Sequence, residues 1–485
     1  MSSTHATPAR ELPVRNPRTG QHDYTIHPLD AAALAALGDR LRHAQPAWAA
    51  AGVAHRAAVL RQWAGALLAE PAAVVDALAT DTGRHRLALS EIQSLRGLVE
   101  GYAAMGGALL APPAERASVV PGIAIDTGLV PYPVAGVISP WNFPFLISML
   151  DAIPALMAGC AVIVKPSEVT PRFIRPLMDC VRRVPELAGV FAVIEGDGAT
   201  GAALIEEVDI ICFTGSVATG RRVGEACAKN FIPACLELGG KDPAIVLASA
   251  DPVQAAQVVL RASVQATGQA CQSLERIYVQ RPVYAAFLDA LVTAARRVEL
   301  NFPDMRKGQV GPLIFARQAE IIAGQLADAR ARGARVLTGG VIETHGGGSW
   351  LRPTVVTDVT HDMQLMSEET FGPVVPVMPF DDIDEAVRLA NDSQYGLSAA
   401  VFGAEAEARQ VAARLDAGAV SINDGGLTTE AFDAEKNSFK LSGMGPSRMG
   451  PSGLLRFLRR RAVLIQRGRA KVMADLDERG AAPPA

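Results

Sequence analysis

The sequence has little of what would commit it to a disulfide, metal, membrane or nucleic-acid class. It holds six cysteines and eight histidines in 485 residues. The cysteines are scattered, with no CxxC pair and no histidine cluster nearby, which argues against a disulfide framework or zinc and for reduced thiols in a cytoplasm. Charge of either sign is not in excess: 46 Lys and Arg against 50 Asp and Glu leave −4. That is too little to recruit nucleic acid or an anionic membrane through a global field. The first twenty residues lack the apolar centre of a secretory signal. The longest apolar run, 145–164, nearly reaches a membrane span in length, but Asp151, Pro154 and Gly159 interrupt it. A buried helix followed by a buried strand explains it better. There is no internal repeat.

What is present points to a globular α/β chain. Apolar residues make up 49% and charged residues 20%, ordinary for a folded protein. The length exceeds the roughly 250–300 residues at which single cores stop growing, so two large domains are expected. Helical periodicity dominates 30–110. The segment 118–132 reads as a hairpin or a pair of edge strands, with turns at Pro121-Gly122 and Asp126-Thr127-Gly128. From Val134 onward short apolar strands at 134–138, 161–164, 191–194 and 208–213 alternate with helix-length segments. This is the pattern of a parallel sheet covered by helices. After Glu237 the alternation resumes, with strands expected at 244–247, 276–279 and 334–337. A further strand is expected at 462–465, inside the basic run 456–471, and a frayed tail at 478–485.

Several segments carry chemistry. Residues 210–213 run into Thr214-Gly215-Ser216 and then a helical pattern; a turn of this kind lets the backbone and helix start approach a phosphate, or serves only as a turn. The strand ending at Val164 is followed by Lys165-Pro166-Ser167-Glu168, at the edge where parallel sheets bind ligands. Glu168 suits ribose hydroxyls and would repel a 2′-phosphate. Cys271, in Gly268-Gln269-Ala270-Cys271, has small and polar neighbours, whereas the other five cysteines sit in apolar or helical contexts. A thiolate there could attack an electrophilic carbon, and hydride loss would leave a thioester. Glu237, in Glu237-Leu238-Gly239-Gly240-Lys241, is either a buried base for hydrolysing such a thioester or a partner of Lys241. Asn142, in Pro140-Trp141-Asn142-Phe143-Pro144-Phe145, is either an oxyanion donor or a helix cap.

Together these segments resemble the aldehyde dehydrogenase superfamily along almost the whole chain. The match runs from Asn16-Pro17-Arg18-Thr19-Gly20 through Asp81-Thr82-Gly83-Arg84, the motifs above, Glu368-Glu369-Thr370-Phe371-Gly372-Pro373-Val374 and Asn423. The resemblance implies two Rossmann-type α/β domains with a small β oligomerisation element. Residues 1–115 and 134–237 would bind cofactor, and 238–440 would form the catalytic domain. Residues 116–133 and 455–470 would build a homodimer or homotetramer, with 471–485 a tail. It further implies Cys271 as nucleophile, Glu237 as general base, and Asn142 with the Cys271 backbone N–H as oxyanion hole. NAD, with NADP tolerated, would be held by Ser139, Pro140, Trp141, Lys165, Ser167, Glu168, Gly215, Ser216, Leu238, Glu369 and Phe371. The substrate would be a small-molecule aldehyde, and neither nucleic acid nor membrane would be a partner.

One segment departs from the pattern. Where many members carry PFGG before a K-x-SG-x-G stretch and a Glu soon after, this chain reads Glu435-Lys436-Asn437-Ser438-Phe439-Lys440-Leu441-Ser442-Gly443-Met444-Gly445 and then Pro446-Ser447-Arg448. The glutamate of a distal proton relay has no counterpart. The region borders the substrate entrance in the family. Two alternatives remain: a CoA-acylating relative, which Glu237 argues against, and a catalytically silent member with a structural role.

Overall fold

The computed structural model describes residues 10–111 and 113–478. The Ala- and Leu-rich N-terminal region forms four helices, Ala31–Ala50, Val53–Ala69, Ala72–Thr82 and His85–Leu109. Each buries one apolar stripe against a shared core. The apolar run resolves into helix Pro144–Ala158, buried on nearly every residue, and strand Ala161–Lys165, buried on all five. Pro144 opens the helix where its missing N–H costs nothing. The Glu91 carboxylate accepts the next two N–H groups, from Phe145 and Leu146, at 3.1 and 2.9 Å. No single helix among the described residues is long and apolar enough to cross a membrane.

Two sheets organise the rest. The first has six strands in the order Gly443–Met444, Ala234–Glu237, Ile210–Thr214, Val134–Ile138, Ala161–Lys165 and Phe191–Val193. All pairs are parallel except the Gly443–Met444 edge. The second has seven, in the order Arg335–Thr338, Thr354–Thr357, Val374–Phe380, Leu274–Gln280, Asp242–Val246, Ser398–Phe402 and Ala419–Ile422. Only its Arg335–Thr338 edge is antiparallel. Central strands that read as continuous apolar runs are the ones buried on both faces.

The expected turn at Asp126-Thr127-Gly128 is not formed. Strand Ile123–Pro131 passes straight through it, because Leu458–Gln466 pairs antiparallel along its whole length, with Arg461 opposite Gly128 and Val463 opposite Asp126. A distant partner thus supplies the hydrogen bonds that a local hairpin would have provided, and Arg116–Ala117 completes a three-stranded sheet. The turn at Pro121-Gly122 does form, with Gly122 at φ +80°. Of the frayed stretch expected at 478–485 only Glu478 falls within the described residues; of the tail expected at 471–485, residues 471–478 are described, all exposed, with a short helical turn at Met473–Leu476.

The C-terminal segment returns to the first sheet. Helix Gly450–Leu455 packs on Pro144–Ala158 and His85–Leu109. Asp151, buried on Pro144–Ala158, accepts from Arg448 at 2.7 Å and also from Arg456. Burial alone would raise the Asp151 pKa, but the two guanidiniums outweigh it and hold the carboxyl below its ordinary range. Removing the shared anion would leave two buried cations facing each other. Asp151→Asn is therefore expected to cost about 3–5 kcal/mol in urea unfolding of the whole chain; a loss under about 1 kcal/mol, the value of an exposed pair, would show that the triad does not hold the segment.

Candidate active site

The strand order of the first sheet reverses between Val134–Ile138 and Ile210–Thr214, the switch point where open α/β sheets form a crevice at their C-terminal edge. A cleft of about 800 Å³ opens there. The loop after Val134–Ile138 contributes Ser139, Pro140, Trp141 and Asn142, and the end of Ala161–Lys165 with the loop after it contributes Lys165, Ser167 and Glu168. Gly215 and Ser216 follow Ile210–Thr214. The second sheet faces the cleft with segments preceding its strands, adding Cys271, Glu369 and Phe371, and Leu238 lies between the two sheets. Every expected site residue lines this cleft except Glu237.

At one end the cleft is built for polar and anionic groups. Ser216 caps helix Val217–Lys229 through the Thr219 N–H, leaving the helix start directed at the cleft. The Thr214 hydroxyl is buried there without a hydrogen-bond partner among the described residues. The Lys165 ammonium donates to the Pro166 and Gly196 carbonyls at 2.8 and 3.1 Å and lies 3.8 Å from the Glu168 carboxylate. Burial lowers its pKa to about 8, against the opposing pull of Glu168. Further along, Trp141 and Phe371 meet edge to face at 5.3 Å.

At the other end stands Cys271, the one residue of the six cysteines that is not buried; the other five are. It follows a turn in which Ala266, Thr267 and Gly268 take φ of 55°, 63° and 67°. Left-handed backbone at non-glycine residues costs about 1–3 kcal/mol each and persists only where the surroundings enforce it. Here they do. Thr267 and Gly311 exchange hydrogen bonds, the Gln269 side chain bonds Pro312 and Ile314, and Arg84 donates to the Ala266 carbonyl at 2.8 Å. A Cβ on Gly268 would fall 2.3 Å from the Gly372 carbonyl, and one on Gly240 would fall 2.5 Å from that of Cys271. Only glycine permits either approach.

Asn142 is not a helix cap; that position is Phe143. Its side-chain amide donates to the Gln269 carbonyl at 2.9 Å and its backbone carbonyl accepts from Arg84 at 2.5 Å. One amide hydrogen remains for the cleft. Arg84 thus grips the Asn142 loop and the turn before Cys271 at once.

The Cys271 thiol is raised to about 12, chiefly by burial and then by the Glu369 carboxylate, while the Lys436 ammonium pulls it down. Glu369 accepts from the Gly240 N–H at 3.0 Å, and burial together with nearby Glu275 pushes its pKa to about 8. Glu237 ends its strand half-buried and accepts from the Ser438 hydroxyl at 2.8 Å. Lys241 is not its partner: the ammonium donates to Glu275 and Thr370, both at 2.8 Å. Arg84, Gln269, Glu275 and Ser438 were not assigned roles from the sequence, although Arg84 and Gln269 stood in recognised motifs.

The aldehyde dehydrogenase family model matches residues 4–463. The chain belongs to the aldehyde dehydrogenase family. A protein of Mycolicibacterium smegmatis, provisionally named an NADP-dependent succinate-semialdehyde dehydrogenase, is 36% identical over 461 residues, covering 94% of this chain and 89% of its own. A solved structure from Anabaena variabilis, provisionally called the aldehyde dehydrogenase PutA, is 50% identical with a TM-score of 0.93, covering 96% of this chain and 99% of that one. Betaine aldehyde dehydrogenase of Staphylococcus aureus, solved with NAD+, is 28% identical with a TM-score of 0.89, over 96% and 93% of the two chains.

In this family member the raised thiol gives a direct expectation. A group with its pKa near 12 is almost wholly protonated at neutral pH, so reactivity grows with the thiolate fraction. Alkylation of Cys271 by iodoacetamide in cofactor-free protein should climb about tenfold per pH unit from about pH 7 to about pH 10. Cys271→Ala should remove the labelled site, and a plateau below about pH 9 would contradict the assignment.

Proposed function

We propose that the protein oxidises an aldehyde to a carboxylic acid through a thioester on Cys271, with NAD or NADP as hydride acceptor. What carries this is the meeting, in one cleft, of Cys271, the rigidly held Asn142 and the anion-directed helix start. The cofactor's pyrophosphate would lie at Gly215 and Ser216, where the orphan Thr214 hydroxyl offers a further donor. Its adenosine ribose would bond Lys165 and Glu168, with Ser167 beside them. Ser139, Pro140, Trp141, Leu238, Glu369 and Phe371 would surround the nicotinamide half. Glu168 favours a free ribose 2′-hydroxyl, while the relative from Mycolicibacterium smegmatis is named for NADP.

The chemistry follows from the side chains. Sulfur of Cys271 adds to the carbonyl carbon as its proton leaves to water or a carboxylate, and the carbonyl oxygen becomes an anion held by the Asn142 amide and the Cys271 N–H. A nicotinamide held by the residues named above would supply the hydride acceptor; loss of a hydride from that carbon leaves an acyl thioester on Cys271. Glu237, near enough for its charge to bear on the Cys271 thiol, removes a proton from water. The hydroxide attacks the acyl carbon, the C–S bond breaks, and the acid departs with the thiol restored. The Glu237 carboxylate is held on the Ser438 hydroxyl and does not line the cleft. A base of this kind favours hydrolysis over transfer to CoA.

We also propose that the six-stranded unit binds the cofactor and the seven-stranded unit carries the nucleophile. The three-stranded sheet, with Val463 and Leu464 47% and 67% exposed, would join copies into a homo-oligomer, since such an edge invites pairing. Leu464→Asp is expected to lower the mass found by light scattering; an unchanged mass would place the interface elsewhere.

Cys271→Ala should abolish NADH formation from aldehydes while cofactor binding, read by fluorescence titration, persists. Glu237→Gln should keep a single-turnover burst of NADH but cut steady-state turnover about 10²-fold or more. Sustained turnover by the first variant, or loss of the burst in the second, would overturn the assigned roles.

A further inference from the structure

Five charged side chains line the cleft: Lys165, Glu168, Arg222, Arg317 and Glu369. Lys165 is spent on the Pro166 and Gly196 carbonyls and sits beside Glu168, and Glu369 holds the Gly240 N–H. Arg222 and Arg317 are exposed, and neither forms an ion pair or a hydrogen bond with any described residue. They stand on different walls. Arg222 belongs to helix Val217–Lys229, which Ser216 caps on the six-stranded unit. Arg317 is the second residue of helix Ala316–Ala331, which packs its apolar side into the core of the seven-stranded unit.

That second helix is braced against the cleft. Gln318 and Gln325 donate to the Thr370 and Glu369 carbonyls at 2.6 and 3.2 Å. The ring of Phe315, its cap residue, lies 6.1 Å from that of Trp141 on the other wall. Arg317 is thus carried on a fixed helix start, close to where the two walls meet. The placement is locally unfavourable, because a cation in the first turn opposes the helix dipole. The first turn holds no carboxylate, and Phe315 offers no side-chain bond to the free N–H groups. Glu320, one turn on, does not pair with the guanidinium. An anion in the cleft would satisfy guanidinium and helix start together. The facing wall marks where it would lie, since the Thr214 hydroxyl, buried and without a partner among the described residues, sits there with the Ser216 helix start.

We propose that Arg317 binds the cofactor from the seven-stranded unit: its guanidinium pairs with the pyrophosphate whose other side rests on the Ser216 helix start, so that the dinucleotide is gripped from both walls. A planar guanidinium suits this role, donating two parallel bonds to phosphate oxygens. This rests on the dinucleotide part of the reading above and adds to it a residue from the opposite unit.

The test is equilibrium binding to the full-length protein without aldehyde. NADH is followed by nicotinamide fluorescence. Two competitors displace it: ADP-ribose, which keeps the pyrophosphate but lacks nicotinamide, and adenosine, which has neither. Arg317→Met should weaken NADH and ADP-ribose alike by about tenfold and leave adenosine within about twofold. It should also flatten the loss of NADH affinity with added salt. Arg317→Lys should fall between the two, because it keeps the charge but not the fork. NADH affinity in Arg317→Met within about twofold of wild type, or equal weakening for adenosine, overturns the inference while the dinucleotide reading stands. Wild type that binds neither NADH nor ADP-ribose removes both.

Discussion

A buried ammonium and a buried carboxylate, Lys241 and Glu275, fix how the second sheet presents itself to the cleft. Lys241 precedes strand Asp242–Val246 and Glu275 lies near the start of Leu274–Gln280. Their 2.8 Å contact locks these neighbours together just beyond Cys271. Glu275 then spends its remaining acceptor capacity on the Thr370 and Phe371 N–H groups, both at 2.8 Å. One carboxylate thereby sets the loop that carries Glu369 and Phe371. Burial lowers the Lys241 pKa, and Glu275 offsets part of that. Such a pair persists because nearly every donor and acceptor around it is satisfied, Arg276 closing the network through the Lys241 carbonyl.

Arg84 does for the two sheets what Glu275 does for one. Fully buried, with its pKa lowered by burial to about 10, it bonds a carbonyl on each side of the cleft. The spacing between Asn142 and the turn before Cys271 is therefore set by a rigid fork rather than by loops. The left-handed backbone at Ala266 and Thr267 is held in place by these same contacts. The site is pre-organised by charges that the proposed chemistry does not consume.

Strands 134–138 and 161–164 were legible because they are uninterrupted apolar runs, and the helix before the second because the long apolar run is interrupted by Asp151, Pro154 and Gly159 before the strand begins. The motif residues gather in one cleft because each follows or precedes a strand at the facing edges of the two sheets. Asp126-Thr127-Gly128 misled because local turn chemistry was outweighed by pairing with a strand more than 300 positions away. Proximity in sequence likewise made Lys241 look like a partner for Glu237, whereas its partner lies on the neighbouring strand. Strand Ser398–Phe402, made largely of small residues, gives no apolar signal of its own; its neighbours bury it. The departure at 435–448 was visible as an oddity, but contacts such as Ser438 with Glu237 exist only once the chain has folded back.

That return of the C-terminus bears on how the molecule is made. The first sheet gains its last edge from Gly443–Met444, and Asp151 finds both its cations at positions 448 and 456. During synthesis the N-terminal half must wait, with a carboxylate in its apolar interior and no guanidinium to meet it, until residues 448 and 456 have left the ribosome. Its core is sealed by residues 443–456, so the native state is not open to the first half emerging alone.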